Sequence, residues 1–191
     1  MNNTLDVENQ RFKFGDSWII AFKYDDTKFY RTGPERLKGS LKGVPQSTRA
    51  VDLIAIHKLN GLLLLEAKDF RGHRIDNKAR INDKEVALEV ALKVRDTIAS
   101  IVGASRKPVE EFPSESLFSA LESVKVVTVV LWLEDDAQKD PDSAKLQLSV
   151  LNQELKKQLA WLQAKTFVLS SRVKNRLDQL SVTNLSGVGN S

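Results

Sequence analysis

The apolar residues of this chain fall in short, bounded runs, and their spacing predicts an alternation of strands and helices. Ser17 to Tyr24 is apolar enough for a strand. Asp25-Asp26-Thr27 reads as a turn, and Lys28-Phe-Tyr-Arg31 as a second, returning strand. Val51 to Ile56 and Leu62 to Leu65 flank an Asn60-Gly61 pair, the strongest short-range signal for a β-hairpin. Asn82-Asp-Lys-Glu85 has the form of a capping box. The helix it starts runs to Val102, stops at Gly103, and buries Val86, Val90, Val94, Ile98 and Ile101. A short helix is expected over Glu115 to Glu122. Val124 to Leu133 is β-branched and nearly all apolar, which suits a central buried strand. A further helix is clearest from Ser149 to Gln163, with Leu151, Leu155, Leu159 and Leu162 on one face. Lys165 to Ser170 follows as a strand.

The remaining segments are polar. Met1 to Asn9 reads as a short helix or irregular arm, and Thr32 to Thr48 as a loop rich in Gly, Pro, Ser and Lys. Ser105 to Ser114 and the acidic stretch Glu134 to Asp142 also read as loops. Asn175 to Leu180 is expected to form a last helical turn, and 186–191 a mobile tail. A strand–helix–strand order implies right-handed crossovers and parallel neighbours. The expectation is a single α/β domain over 1–191 with a mixed central β-sheet flanked by helices.

Charged residues gather at one end of the hairpin. Asp52 opens the first run, and Glu66 and Lys68 close the second. Side chains two apart on a strand share a face, so Glu66 and Lys68 point one way and Ala67 the other. Whether Asp52 joins them depends on register. A two-residue Asn60-Gly61 loop pairs Asp52 with Asp69 and turns it away. A three-residue loop, Leu59-Asn60-Gly61, sets Asp52 opposite Lys68 and Ile54 opposite Glu66. Gly61 suits the left-handed position that ends such a loop. We expect the three-residue loop or an equivalent bulge, because a one-residue slip changes faces.

Two carboxylates on one face can hold a hard cation through oxygen. The cation can polarise a phosphoryl oxygen and acidify a bound water, and a neighbouring lysine can stabilise charge on the phosphate. The arrangement Asp52, hairpin, Glu66-Ala67-Lys68 resembles the PD-(D/E)xK nuclease superfamily, which includes many restriction endonucleases, resolvases and repair nucleases. Val51 stands where the superfamily's name has proline. The resemblance implies Asp52 and Glu66 as metal ligands, the Ala67 carbonyl as a further ligand, and Lys68 as the catalytic lysine. It also implies a restriction endonuclease-like core and a Mg²⁺-dependent endonuclease acting on phosphodiesters, with Mn²⁺ as a substitute ion. DNA is preferred over RNA as the expected partner, and a homodimer would help to cut both strands. Glu8 and Glu35 are the weak candidates for an extra acidic ligand. Lys42, Arg49, Arg71, Arg74, Lys93 and Arg95 are the candidate phosphate contacts. The plainer alternative for each is a solvated face or local ion pair, and Glu66 and Lys68 alone would suit an ordinary ion pair. Rival readings are a non-catalytic nucleic-acid-binding module or a structural subunit on the same fold.

Composition narrows the field. The 191 residues include no cysteine, which excludes disulfides, thiolate metal sites and a cysteine nucleophile. Two histidines leave little room for zinc. The N-terminus lacks the apolar core of a signal peptide, and no run is long enough to cross a bilayer, so a cytoplasmic location without membrane contact is expected. A net charge of +4 and a pI near 9.2 permit a nucleic-acid partner without requiring one.

Overall fold

The computed structural model describes residues 4–36, 48–59, 61–72, 79–81, 84–106, 109, 111–123, 126–136, 140–173 and 177–185. Two sheets and a helical layer are stacked on one another. The larger sheet has five strands in the order β3-β4-β5-β6-β7: β3 (Trp18–Lys23), β4 (Leu53–His57), β5 (Gly61–Asp69), β6 (Thr128–Glu134) and β7 (Lys165–Leu169). The pairs β3–β4 and β4–β5 are antiparallel, and β5–β6 and β6–β7 are parallel. The smaller sheet is antiparallel, with β2 (Gln10–Phe14) between β1 (Thr4–Val7) and β8 (Leu180–Asn184). The helices are α1 (Lys28–Thr32), α2 (Glu85–Arg106), α3 (Ser114–Glu122) and α4 (Pro141–Gln158). The mixed sheet flanked by helices is therefore the architecture expected.

Alternation along β4 and β5 divides the core in two. Ile54, Ile56, Leu62 and Leu64 face the helices and pack with Val86, Val90, Val94 and Ile101 of α2 and Leu148, Leu151 and Leu155 of α4. Leu53, Ala55, Leu63, Leu65 and Ala67 face the small sheet, where they meet Phe12, Phe14 and Leu180. β5 and β6 are buried on both faces, which is why their sequences are continuously apolar.

Several expectations are corrected. Thr4–Val7, within the segment 1–9 read as a short helix or arm, form strand β1, and Gln10–Phe14 form β2. The alternation was visible in β2, where Gln10, Phe12 and Phe14 are buried and Arg11 and Lys13 exposed. Lys28 to Arg31 lies in a helix, not a strand: the Thr27 hydroxyl accepts the Tyr30 N–H as an N-cap. Tyr24 and Tyr30 are buried in the core and Phe22 and Phe29 pack against it, with Phe29 stacked on Phe112 at 4.4 Å between ring centroids. Helix α2 continues through Gly103 to Arg106, because Ala104 in its last turn is still buried. Helix α4 begins at Pro141, inside the stretch read as an acidic loop: Asp140 caps it in a reciprocal box with Ser143. Residues 180–184 form strand β8 instead of closing a helical turn. The capping box proposed at Asn82 and the tail 186–191 lie outside the described residues, as does most of the 32–48 loop. Among the described residues no helix is long and apolar enough to cross a membrane.

Phe12 is fully buried between the sheets and meets Trp132 edge-on at 6.0 Å between ring centroids. Phe12→Ala is expected to cost about 3–5 kcal/mol in urea unfolding. Tryptophan fluorescence and far-ultraviolet circular dichroism should report one coincident transition, because the small sheet shares its core with the large one.

Candidate active site at the hairpin end

The hairpin register differs from both loops considered. His57 lies opposite Gly61 and Leu53 opposite Leu65, so Asp52 falls level with Glu66. This is two residues from the Asp52–Lys68 pairing expected, and a two-residue shift preserves faces. Gly61 has the positive φ, +80°, that its position at the strand start requires. Asp52, Glu66 and Lys68 therefore lie on the helix-facing side of the sheet, at the end where β4 begins and β5 continues past it.

Asp52 is fixed through both backbone and side chain. Its carbonyl accepts the Tyr24 N–H at 2.8 Å, and its Oδ2 accepts the Ala67 N–H at 2.8 Å. The residues before it are tied to α2. Arg49 N–H donates to Asp96 Oδ2 at 3.0 Å, and Val51 N–H donates to Thr97 Oγ1 at 3.2 Å. The N–H of Ala67 points toward Asp52, and in a strand a residue's N–H and C=O share an edge, so its carbonyl opens there too.

Glu66 is 1% exposed, and its charge is met by two ammonium groups. Lys68 Nζ lies 2.9 Å and Lys93 Nζ 2.6 Å from the same oxygen, Oε1. Lys93 Nζ also stands 4.0 Å from Asp52 Oδ1. The second carboxylate oxygen, Oε2, is buried with no hydrogen-bond partner. Lys68 reaches a further acid, Glu89 of α2, at 3.1 Å, and Arg80 closes on Glu89 at 2.7 Å. Glu89 and Lys93 are one turn apart on α2 and so present one face to the site.

These contacts set the charge states. Burial, then the charge of Glu66, pushes the Asp52 carboxyl up to about 7; the Ala67 N–H, Lys93 and Lys68 oppose the rise. Burial alone would lower the Lys68 ammonium, but the Glu66 and Glu89 carboxylates outweigh it and hold the group above the usual lysine value. Burial would raise Glu89, but Lys68, Lys93 and Arg80 bring it below the ordinary glutamate value. Asp25, in the turn after β3, is raised by burial and by Asp26, with the Glu66 charge adding a smaller push. Asp25 therefore lies within electrostatic reach of the site.

The remaining predicted contacts separate. Lys93 enters the site itself. Arg49 and Arg80 line an open groove of about 600 Å³ that runs along α2 to Lys93, with Glu85, Leu88, Glu89 and Leu92 as its other walls. Arg71 does not turn toward the site. It forms a two-pronged pair with Asp69, at 2.8 and 2.7 Å, and Asp69 also accepts from Asn9 of the β1–β2 turn. Arg95 is exposed and pairs with its neighbour Asp96 at 2.9 Å. Lys42 and Arg74 lie outside the described residues. Glu89 and Arg80 were missed as site residues. The signal for Glu89 was its four-residue spacing from Lys93 on a predicted helix.

The donor set fits a small divalent cation. Asp52 and Glu66 approach one ammonium, Lys93 Nζ, one Glu66 oxygen is buried without a partner, and burial with the Glu66 charge raises Asp52. Among the described residues no cluster of three His, Cys, Asp or Glu side chains forms, so water would complete the shell, as Mg²⁺ tolerates. No family model, curated protein or solved structure matches the chain.

The raised Asp52 has a measurable consequence. Between about pH 4 and 7 the folded state keeps a proton on Asp52 that the unfolded chain has released. Metal-free stability should therefore fall as pH rises through that window and level off above it. Thermal melts in chelator should show this slope, and Asp52→Asn should flatten it.

Proposed function

We propose that the protein is a metal-dependent nuclease that hydrolyses phosphodiester bonds, with DNA as the preferred substrate over RNA. The observation that carries this reading is the convergence of Asp52 and Glu66 on one face, with Lys68 Nζ 2.9 Å from Glu66. The likeness of Asp52, hairpin, Glu66-Ala67-Lys68 to the PD-(D/E)xK superfamily supports it. A mixed sheet whose hairpin is followed by a helix on the same face is compatible with a restriction endonuclease-like core.

Asp52, Glu66 and the Ala67 carbonyl would hold Mg²⁺, or Mn²⁺ in its place. A divalent cation bound there supplies Lewis acidity toward a phosphoryl oxygen and lowers the pKa of a bound water. The chain's own residues do the rest. Glu66 and Glu89 hold Lys68 from two sides and keep it protonated. It therefore serves as a fixed positive charge beside the scissile phosphate, not as a proton acceptor. The hydrogen bond from Ala67 N–H orients Asp52 with Oδ1 free of that bond.

One observation favours a second reading, a non-catalytic nucleic-acid-binding module. Lys68 and Lys93 already neutralise Glu66 from within the chain. That reading predicts salt-sensitive binding without cation-dependent turnover.

Plasmid and single-stranded DNA should be cleaved in Mg²⁺ or Mn²⁺ and spared in chelator. Asp52→Ala, Glu66→Gln and Lys68→Ala should each lower the rate by about a hundredfold or more, with the circular dichroism spectrum unchanged. Wild-type rates in all three variants would reject the assignment.

A further inference from the structure

Lys93 occupies the side of the acid pair that a cation must approach. Its ammonium lies 2.6 Å from Glu66 Oε1 and 4.0 Å from Asp52 Oδ1, so one monovalent charge bridges both acids. Lys68 cannot take over that task, because it is also engaged by Glu89 at 3.1 Å. Lys93 has no comparable second anchor among its ion pairs: its contact with Asp52 is at the limit of an ion pair. It sits on the boundary between site and groove, and its side chain is 19% exposed. A rotation of its four-carbon stem would carry the charge from the acids to the groove bearing Arg49 and Arg80.

We infer that Lys93 is a resident counter-ion that a divalent cation displaces, and that its release adds a positive charge to the Arg49–Arg80 groove, where a nucleic-acid backbone phosphate binds. The inference rests on the metal-dependent reading above and adds its regulation. A divalent cation held by both Glu66 and Asp52 would need the position between them that Lys93 Nζ occupies, 2.6 Å from one and 4.0 Å from the other, and would repel the ammonium there. Cation binding and the Lys93–Glu66 pair are therefore mutually exclusive. Linkage makes the effect reciprocal: the cation strengthens phosphate binding in the groove, and phosphate in the groove strengthens cation binding. Lys93 is thus a positioning and gating residue.

The test is a calorimetric titration of Mn²⁺ into the full chain without nucleic acid, for wild type, Lys93→Met and Lys93→Gln. Methionine keeps much of the apolar stem, and glutamine provides a second folded variant should methionine disturb packing. The variants should bind Mn²⁺ about tenfold tighter than wild type. A second arm measures binding of a fluorescent DNA duplex by polarisation, with and without Ca²⁺. Wild type should gain affinity with Ca²⁺, and the variants should lose most of that gain. Equal or weaker Mn²⁺ binding by the folded variants overturns the gating role while leaving the metal site intact. Absence of Mn²⁺ binding in wild type and variants alike overturns the metal reading and the gate with it.

Discussion

A carboxylate in the middle of a five-stranded sheet is the constraint on which the site depends. Glu66 lies on β5, the central strand, between β4 and β6 and beneath α2. An isolated charge there would cost several kcal/mol. The sequence offsets this with two lysines that reach one oxygen, Lys68 from the same strand and Lys93 from the helix above. The helix must lie where Lys93 can reach, which fixes its rotation. That rotation places Val86, Val90 and Val94 on the apolar face of the sheet. Charge pairing and apolar packing therefore specify one placement of α2, and each reinforces the other.

The two faces of the large sheet divide the labour. The face toward β1, β2 and β8 is closed by aromatic and aliphatic side chains around the buried, unpartnered side-chain amide of Gln10, and polar groups at its rim are paired. Glu134 accepts from Trp132 Nε1, Ser171 N–H and Ser171 Oγ, and Asp69 accepts from Arg71 and Asn9. The opposite rim, under α2, keeps a buried carboxylate oxygen without a partner and a carboxyl driven up by burial and, to a lesser degree, by its charged neighbour. Strongly perturbed groups beside a groove are the kind of feature that makes a candidate functional site.

Much of this was readable in the chain. Parity along β4 and β5 placed Asp52, Glu66 and Lys68 on one face even though the loop was misplaced, because a two-residue slip leaves faces unchanged. Parity could not supply Glu89, Arg80 or the role of Asp96. Those residues gain meaning only when α2 packs on the sheet, a long-range event that periodicity does not report. The same limit explains Arg71: its place after Lys68 suggested the site, but Asp69 draws it to the other side. Local chemistry explains other misses. Thr27 and Asp140 are helix caps that break stretches read as strand or loop, and burial of Ala104 carries α2 past Gly103.

The pairing of β2 with β8 joins segments far apart in sequence. During synthesis the hairpin β1–β2 leaves the ribosome long before its third strand exists. Until β8 arrives, Gln10, Phe12 and Phe14 have no partner along that edge, and the inner face of the large sheet is incompletely covered. The nascent chain thus carries an open strand edge and an apolar surface for most of its elongation. A holding chaperone or slow strand-to-strand aggregation would compete for that edge, and fast release of the C-terminal part favours the native pairing.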